Sequence, residues 1–184
     1  MAPTAWKDTL QATQFGASCI QNPRMYSPGN ANTFDASVGD NILSGHTPGS
    51  EDCLSLNIWR PATKEKNLPV IVFIYGGSNI TGYSGDPLYD GAALAKKANA
   101  VVVSANYRLG QLGFFRHPAL RDTAVDPTLT PEDQSGNFAV LDIIQALKFV
   151  QGNIEHFGGN KANVTLAGQS AGAINVLAVL TTPG

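Results

Sequence analysis

Ser170 is the residue of this chain best placed to do covalent chemistry. It stands in Gly168-Gln169-Ser170-Ala171-Gly172, preceded by the strand-like run Val164-Thr165-Leu166-Ala167 and followed by small and apolar residues that suit a helix. That pattern is the sequence form of a nucleophile elbow, a strained turn that lifts a serine hydroxyl out between a strand and a helix. The turn leaves almost no room two residues either side of the serine, and Gly168 and Gly172 answer that demand. The chemistry implied is acyl transfer through Ser170. A serine that attacks an acyl carbon generates a tetrahedral oxyanion, which needs backbone N–H groups with no side-chain bulk in front of them. Phe73-Ile74-Tyr75-Gly76-Gly77-Ser78-Asn79 ends a buried-strand pattern on a glycine pair and can supply them. The same glycines also suit a plain tight turn with positive φ.

A serine hydroxyl is a weak nucleophile without a general base within hydrogen-bond reach, and the base must itself be oriented. The chain has three histidines, His46, His117 and His156, and all precede the serine. His46 falls in a Gly/Pro-rich stretch, His117 directly before a proline, and His156 near a helix end where a cation suits the dipole. Structural or surface roles fit each of them better than catalysis. The 14 residues after Ser170 contain neither an acidic residue nor a histidine.

The elements that must position this chemistry alternate. The first fifty residues are rich in Gly, Pro, Asn and Ser and read as irregular. Leu54 to Trp59 alternates apolar and polar, a half-buried strand closed by Pro61. Val70 to Tyr75 is continuously apolar and predicts a strand buried on both faces, as in a parallel sheet. Asp90 can cap a short helix over 91–98, and Val101 to Tyr107 forms the next buried strand. Residues 110–136, with three prolines, read as loop. From Asn137 onward Leu141, Ile144, Leu147, Val150 and Ile154 recur at helical spacing until Gly158-Gly159. Strand and helix alternation predicts an α/β architecture with a central parallel sheet, whose sites form at the carboxyl ends of strands. There is no internal repeat, low-complexity tract or domain boundary.

The chain has 184 residues, 43% apolar but only 14% charged, so much of it expects to be covered. A formal charge of -2 gives no reason to expect a nucleic acid or an anionic membrane as partner. No apolar run reaches the ~18–20 residues of a membrane span, and no leader pattern opens the chain. Cys19 and Cys53 are either a disulfide closing a long loop or two buried thiols. If bonded, they point to an oxidising compartment, secreted or periplasmic, with the cytoplasm as the alternative. Two sequons, Asn79-Ile80-Thr81 and Asn163-Val164-Thr165, fall in the glycine loop and at a strand start and read as coincidental.

Six ordered segments together resemble the type-B carboxylesterase family, the group of cholinesterases and bacterial esterases. They are Ser50-Glu51-Asp52-Cys53-Leu54-Ser55-Leu56-Asn57-Ile58-Trp59, Tyr75-Gly76-Gly77-Ser78, Asn106-Tyr107-Arg108-Leu109-Gly110 with Leu112-Gly113-Phe114, Gly136-Asn137 with Asp142, Asn153-Ile154 to Phe157-Gly158-Gly159, and Val164 to Ala173. The resemblance implies an α/β-hydrolase fold, here incomplete: residues 1–184 would lack the first strands and end just after the nucleophile helix. It implies Ser170 as nucleophile, the N–H groups of Gly77, Ser78 and Ala171 as oxyanion donors, Gln169 and Asn79 beside the site, and a Cys19–Cys53 disulfide. It also implies a small-molecule ester as substrate, with no cofactor and no metal. The family order of Ser, then acid, then His puts the acid and the base in a missing remainder of the parent chain, the partner this piece would need. Two departures stand out. Gln169 replaces the family's Glu and removes a negative charge beside the serine, and Ser78 replaces a third glycine and adds a hydroxyl near the acyl pocket. The competing expectations are a non-catalytic, cholinesterase-like interaction domain and an inactive fragment.

Overall fold

The computed structural model describes residues 8, 10–21, 49–124 and 126–182; His46 and the chain's first residues lie outside them. Four strands, β1 (Leu56–Trp59), β2 (Leu68–Ile74), β3 (Val101–Ala105) and β4 (Gly159–Gly168), form one sheet in the order β1-β3-β2-β4. β3, β2 and β4 run parallel, and β1 is antiparallel to β3. The crossovers are α1 (Ala92–Ala98) between β2 and β3, and α3 (Phe138–Asn153) between β3 and β4. The short α2 (Gly110–Phe114) precedes α3, and α4 (Ala171–Leu180) follows β4. The sheet is therefore mixed and mostly parallel, with helices flanking it, as the alternating pattern predicts.

The core lies under one face of the sheet. Val70, Val72 and Ile74 of β2 and Val101 and Val103 of β3 are fully buried with Ala139, Ile143, Val150 and Ile154, and Val176 of α4 joins them. Burial on both faces of β2, expected from its continuous apolar run, is not observed. Pro69 is exposed and Ile71 and Phe73 are half-buried, and on that face the Phe73 ring meets Tyr89, centroids 5.4 Å apart. Pro69 also sits inside the strand, where the pairing with β4 shifts register between Leu68 and Val70. A residue without an N–H is accommodated at such an irregularity.

The α3 face differs from the expected one too. Ala139, Asp142, Ile143, Val150 and Ile154 are the buried positions, while Leu141, Ile144 and Leu147 are only half-buried. The burial of Asp142 turns the helix. Its carboxylate accepts from Arg108 Nε at 2.8 Å, Arg108 Nη2 at 2.7 Å and the Arg108 backbone N–H at 3.0 Å. A buried carboxylate persists only with such charge-assisted partners, and the bond to Asp142 raises the Arg108 guanidinium above its ordinary pKa. Arg108 also lies over the Phe138 ring, 5.2 Å from its centroid. A chain reversal at Gly158, φ +84°, ends the 3₁₀ turn Ile154–Phe157 that follows α3.

Residues 110–136 are not all loop. α2 forms there, with a 3₁₀ turn over Pro118–Arg121. Gly113 is the reason α2 can pack, since a Cβ there would stand 3.0 Å from the Ala139 Cβ and run into the Arg108 carbonyl. The expected Asp90 cap is displaced by one residue: Gly91 holds the N-cap position of α1 without a side-chain bond, and the Asp90 Oδ1 accepts from the Ala92 N–H at 2.9 Å from just outside the helix.

The irregular N-terminal segment is tied to the sheet by covalent and polar links. Cys19 and Cys53, both buried, are joined as a disulfide with Cα atoms 4.8 Å apart. Asn106, just past β3, donates to the Ala17 and Cys53 carbonyls and accepts from the Ser84 N–H. Gln21 bridges Cys19 and Gly82 in the same way.

Candidate active site

Ser170 occupies the joint between β4 and α4 at φ +54°, ψ -125°. A non-glycine residue in that region is strained, and its neighbours must hold it there. They do so by close packing. A Cβ on Gly168 would stand 2.6 Å from the Gly172 carbonyl, and a Cβ on Gly172 would collide with the carbonyl oxygens of Ile74 and Tyr75. The elbow is thus pressed against the end of β2, and the Gln169 N–H donates to the Ile74 carbonyl at 3.1 Å. Ser170 is exposed, and its side chain makes no capping bond to α4. Among the described residues its hydroxyl has no hydrogen-bond partner, and it stands at the positive end of a ten-residue helix.

The glycine loop meets this serine. A Cβ on Gly76 would stand 2.9 Å from the Ser170 Cβ and 2.6 Å from the Gln169 carbonyl. Beyond it, Gly77, Ser78 and Asn79 hold φ values of +114°, +56° and +59°, three consecutive residues in the left-handed region. The Gly77 carbonyl accepts from the Ile80 and Thr81 N–H groups, which closes the turn. The N–H groups of Gly77, Ser78 and Ala171 make no hydrogen bond among the described residues. An oxyanion requires backbone donors without acceptors of their own, and the close approach of Gly76 brings this loop up to Ser170. The loop is a tight positive-φ turn, and its Gly77 and Ser78 N–H groups are without acceptors among the described residues.

Of the flanking residues named from sequence, Gln169 is exposed and its Oε1 accepts from the Tyr89 hydroxyl at 3.3 Å. Asn79 turns its side chain inward, toward Asn175 and Tyr107. Neither described histidine joins the site. His117 Nδ1 accepts from the Ala119 N–H and the ring stacks near Phe115, while His156 lies exposed in the turn after α3. No group of three or more potential metal ligands occurs among the described residues.

Sequence reasoning passed over the support beneath the loop. Tyr75 and Tyr107 are fully buried and stacked, centroids 4.6 Å apart. The Tyr107 hydroxyl donates to the Tyr75 carbonyl at 2.8 Å, and the Tyr75 hydroxyl donates to the Tyr107 carbonyl at 3.4 Å. Burial pushes both phenols up from their ordinary pKa. Asn175, 3% exposed, was also overlooked. Its signal was present: it is the one polar residue in the α4 run Ala171-Gly172-Ala173-Ile174-Asn175-Val176-Leu177-Ala178-Val179-Leu180.

Known proteins resemble this arrangement over nearly the whole chain. A cholinesterase of Mus musculus is 43% identical over 178 residues, 97% of this chain and 26% of that protein. A fumonisin B1 esterase of Sphingopyxis macrogoltabida is 41% identical over 182 residues, 98% of this chain and 30% of that protein. The solved structure of a thermophilic PNB esterase superposes with a TM-score of 0.76 at 36% identity, covering 98% of this chain and 33% of that one. The chain thus spans between about a quarter and a third of the length of these relatives, and its sheet and helices are part of an α/β-hydrolase fold. The family profile of carboxylesterases matches residues 1–184 in full, and the chain belongs to the carboxylesterase family.

Proposed function

We propose that Ser170 is the nucleophile of a serine carboxylesterase that works through an acyl-enzyme. The Ser170 Oγ attacks the carbonyl carbon of an ester while its proton passes to a general base. The resulting oxyanion is held by the N–H groups of Gly77, Ser78 and Ala171. Collapse breaks the bond to the alkoxy oxygen, which leaves as the alcohol with the proton the base returns. Water then attacks the acyl-serine by the same route and releases the acid. Neither step needs a cofactor or a metal. The observation that carries this reading is the strained, exposed Ser170 beside three amide donors without acceptors.

Residues 1–184 act in this reading as an interior, N-terminal piece of the catalytic domain of a longer esterase. The orienting acid and the histidine come from the remainder of that chain, since neither described histidine reaches Ser170. Without the base, turnover drops on the order of 10⁶-fold, so the segment alone is nearly inactive. The substrate is a small-molecule ester. Gln169 presents a neutral amide beside the serine, so no carboxylate at that position draws a cationic alcohol group. The buried disulfide supports a secreted or periplasmic setting. No helix among the described residues is long and apolar enough to cross a membrane.

The test is covalent labelling of the full-length protein with a serine-directed phosphonate, followed by peptide mapping. Label on Ser170 with loss of esterase activity is the expected result. Label elsewhere, or none on a folded protein, would favour the non-catalytic interaction domain.

A further inference from the structure

Asn175 lies on α4, five residues past Ser170, in a helix otherwise built of apolar and small residues. A buried amide in such a setting costs stability unless its polar atoms are matched. Here they are matched by the glycine loop. Asn175 Nδ2 donates to Asn79 Oδ1 at 2.8 Å, and Asn79 Nδ2 donates back to Asn175 Oδ1 at 3.4 Å. The Tyr107 hydroxyl lies 3.3 Å from the same Asn79 Oδ1. Its strong bond runs to the Tyr75 carbonyl at 2.8 Å, one residue before Gly76. On the main chain, the Asn79 carbonyl accepts from the Gly110 N–H at 2.6 Å.

The amide pair connects two parts that must keep a fixed separation. Asn79 ends the left-handed run that carries two of the proposed oxyanion donors, and Asn175 is rigidly attached to the helix that begins with Ser170 and the third donor, Ala171. Left-handed φ at Ser78 and Asn79 is an unfavourable state that relaxes unless the surroundings hold it. We propose that Asn79 and Asn175 are positioning residues, an amide clamp seated on Tyr107 that fixes the oxyanion donors of the loop relative to the nucleophile. The inference rests on the reading of Ser170 and the three amides given above. Its action is on the transition state: the clamp touches no substrate and sets the distance at which developing charge meets its donors. Displacements of about 1 Å at such a site cost on the order of 100-fold in rate.

The test uses the full-length esterase with Asn175→Ala, Asn79→Gly and the double variant. Glycine accepts the positive φ of position 79, so Asn79→Gly removes the side chain without adding backbone strain. Rates are counted per serine titrated by a phosphonate, and affinity is measured for a trifluoromethyl ketone, which forms a tetrahedral adduct. Each single variant is expected to lower kcat roughly ten- to 100-fold with KM changed less than about threefold. Ketone affinity should fall by the same factor as kcat, and the double variant should be no worse than the weaker single. Unchanged kcat per titrated serine, losses in KM alone, or losses that multiply in the double variant would overturn the clamp. If Asn175→Ala does not fold, Asn79→Gly carries the same test from the loop side. Ser170→Ala separates the two levels: full activity in that variant refutes the nucleophile reading, whereas an inactive Ser170→Ala beside unaffected clamp variants refutes only the clamp.

Discussion

The two flanks of β2 are built differently. On one side β3 is buried at all five positions, screened by β1 beyond it. The segments around its end are tied by the Cys19–Cys53 disulfide, the Asn106 bonds and the Arg108–Asp142 pair. On the other side β4 ends the sheet of the described residues, and Lys161, Ala162, Asn163 and Thr165 are exposed along it. Its helix α4 presents Ile174, Leu177 and Leu180 at 66%, 62% and 70% exposure. A bare parallel-strand edge beside an apolar helix face is unusual in a finished domain, because such sheets bury both faces and manage their edges. Ser170 sits at the top of this open flank. The closed flank is the frame that holds the glycine loop proposed to bind the oxyanion, and the open flank is where the proposed remainder of the chain would supply the base.

Four experiments on the full-length protein would break or sharpen that contrast. The largest effect is expected from Ser170→Ala, with esterase turnover lower by on the order of 10⁶ and the closed flank untouched. A steady-state assay beside thermal unfolding checks it, and equal loss of activity and of fold would remove the distinction. Next is the closed flank itself. Replacing Cys19 and Cys53 together by Ala should cost roughly 3–4 kcal/mol for a loop of 34 residues, read from denaturant unfolding. A loss under about 1 kcal/mol would mean that the Asn106 and Gln21 bonds hold the segment by themselves.

Leu177→Ala comes third and tests the open flank. If further chain covers α4, the truncation should cost about 2–3 kcal/mol, the penalty of a buried site. If the face stays in water, the change stays within about 0.5 kcal/mol. The smallest effect near neutrality belongs to pH. Burial raises Tyr75 and Tyr107 above the ordinary phenol value of 10.0 and pushes Tyr83 up to about 12. An acid whose folded pKa is raised contributes stability that is fully present below its unfolded pKa and is lost as pH rises toward the folded one. Stability should therefore be flat with respect to these groups from pH 7 to about 9 and fall between about 10 and 12. Ultraviolet tyrosinate titration of folded and denatured protein reads it, and coincident curves would refute it.

The elbow was legible in sequence because its geometry excludes side chains, so the glycines at 168 and 172 announce it. The glycine turn after β2 was legible for the same reason at Gly76 and Gly77. The disulfide followed from the family resemblance, whereas spacing by itself left it beside two free thiols. What escaped reading depends on contacts distant in the chain. The face α3 buries turns on Asp142 meeting Arg108, 34 positions away. The short helix α2 exists against α3, where Gly113 meets Ala139. The clamp joins positions separated by 96 residues, and one polar side chain in an apolar helix was its sole trace.

The sequence by itself determined the order of strand, turn and helix, the placement of Ser170 on the turn, and the family. Each is written in local periodicity or in residues that a tight backbone compels. Only the tertiary structure decided which amides are left without acceptors, which faces are buried, and that Asn79 meets Asn175. Those outcomes depend on packing between distant segments, where desolvation and hydrogen-bond matching select among arrangements that local patterns leave equally open.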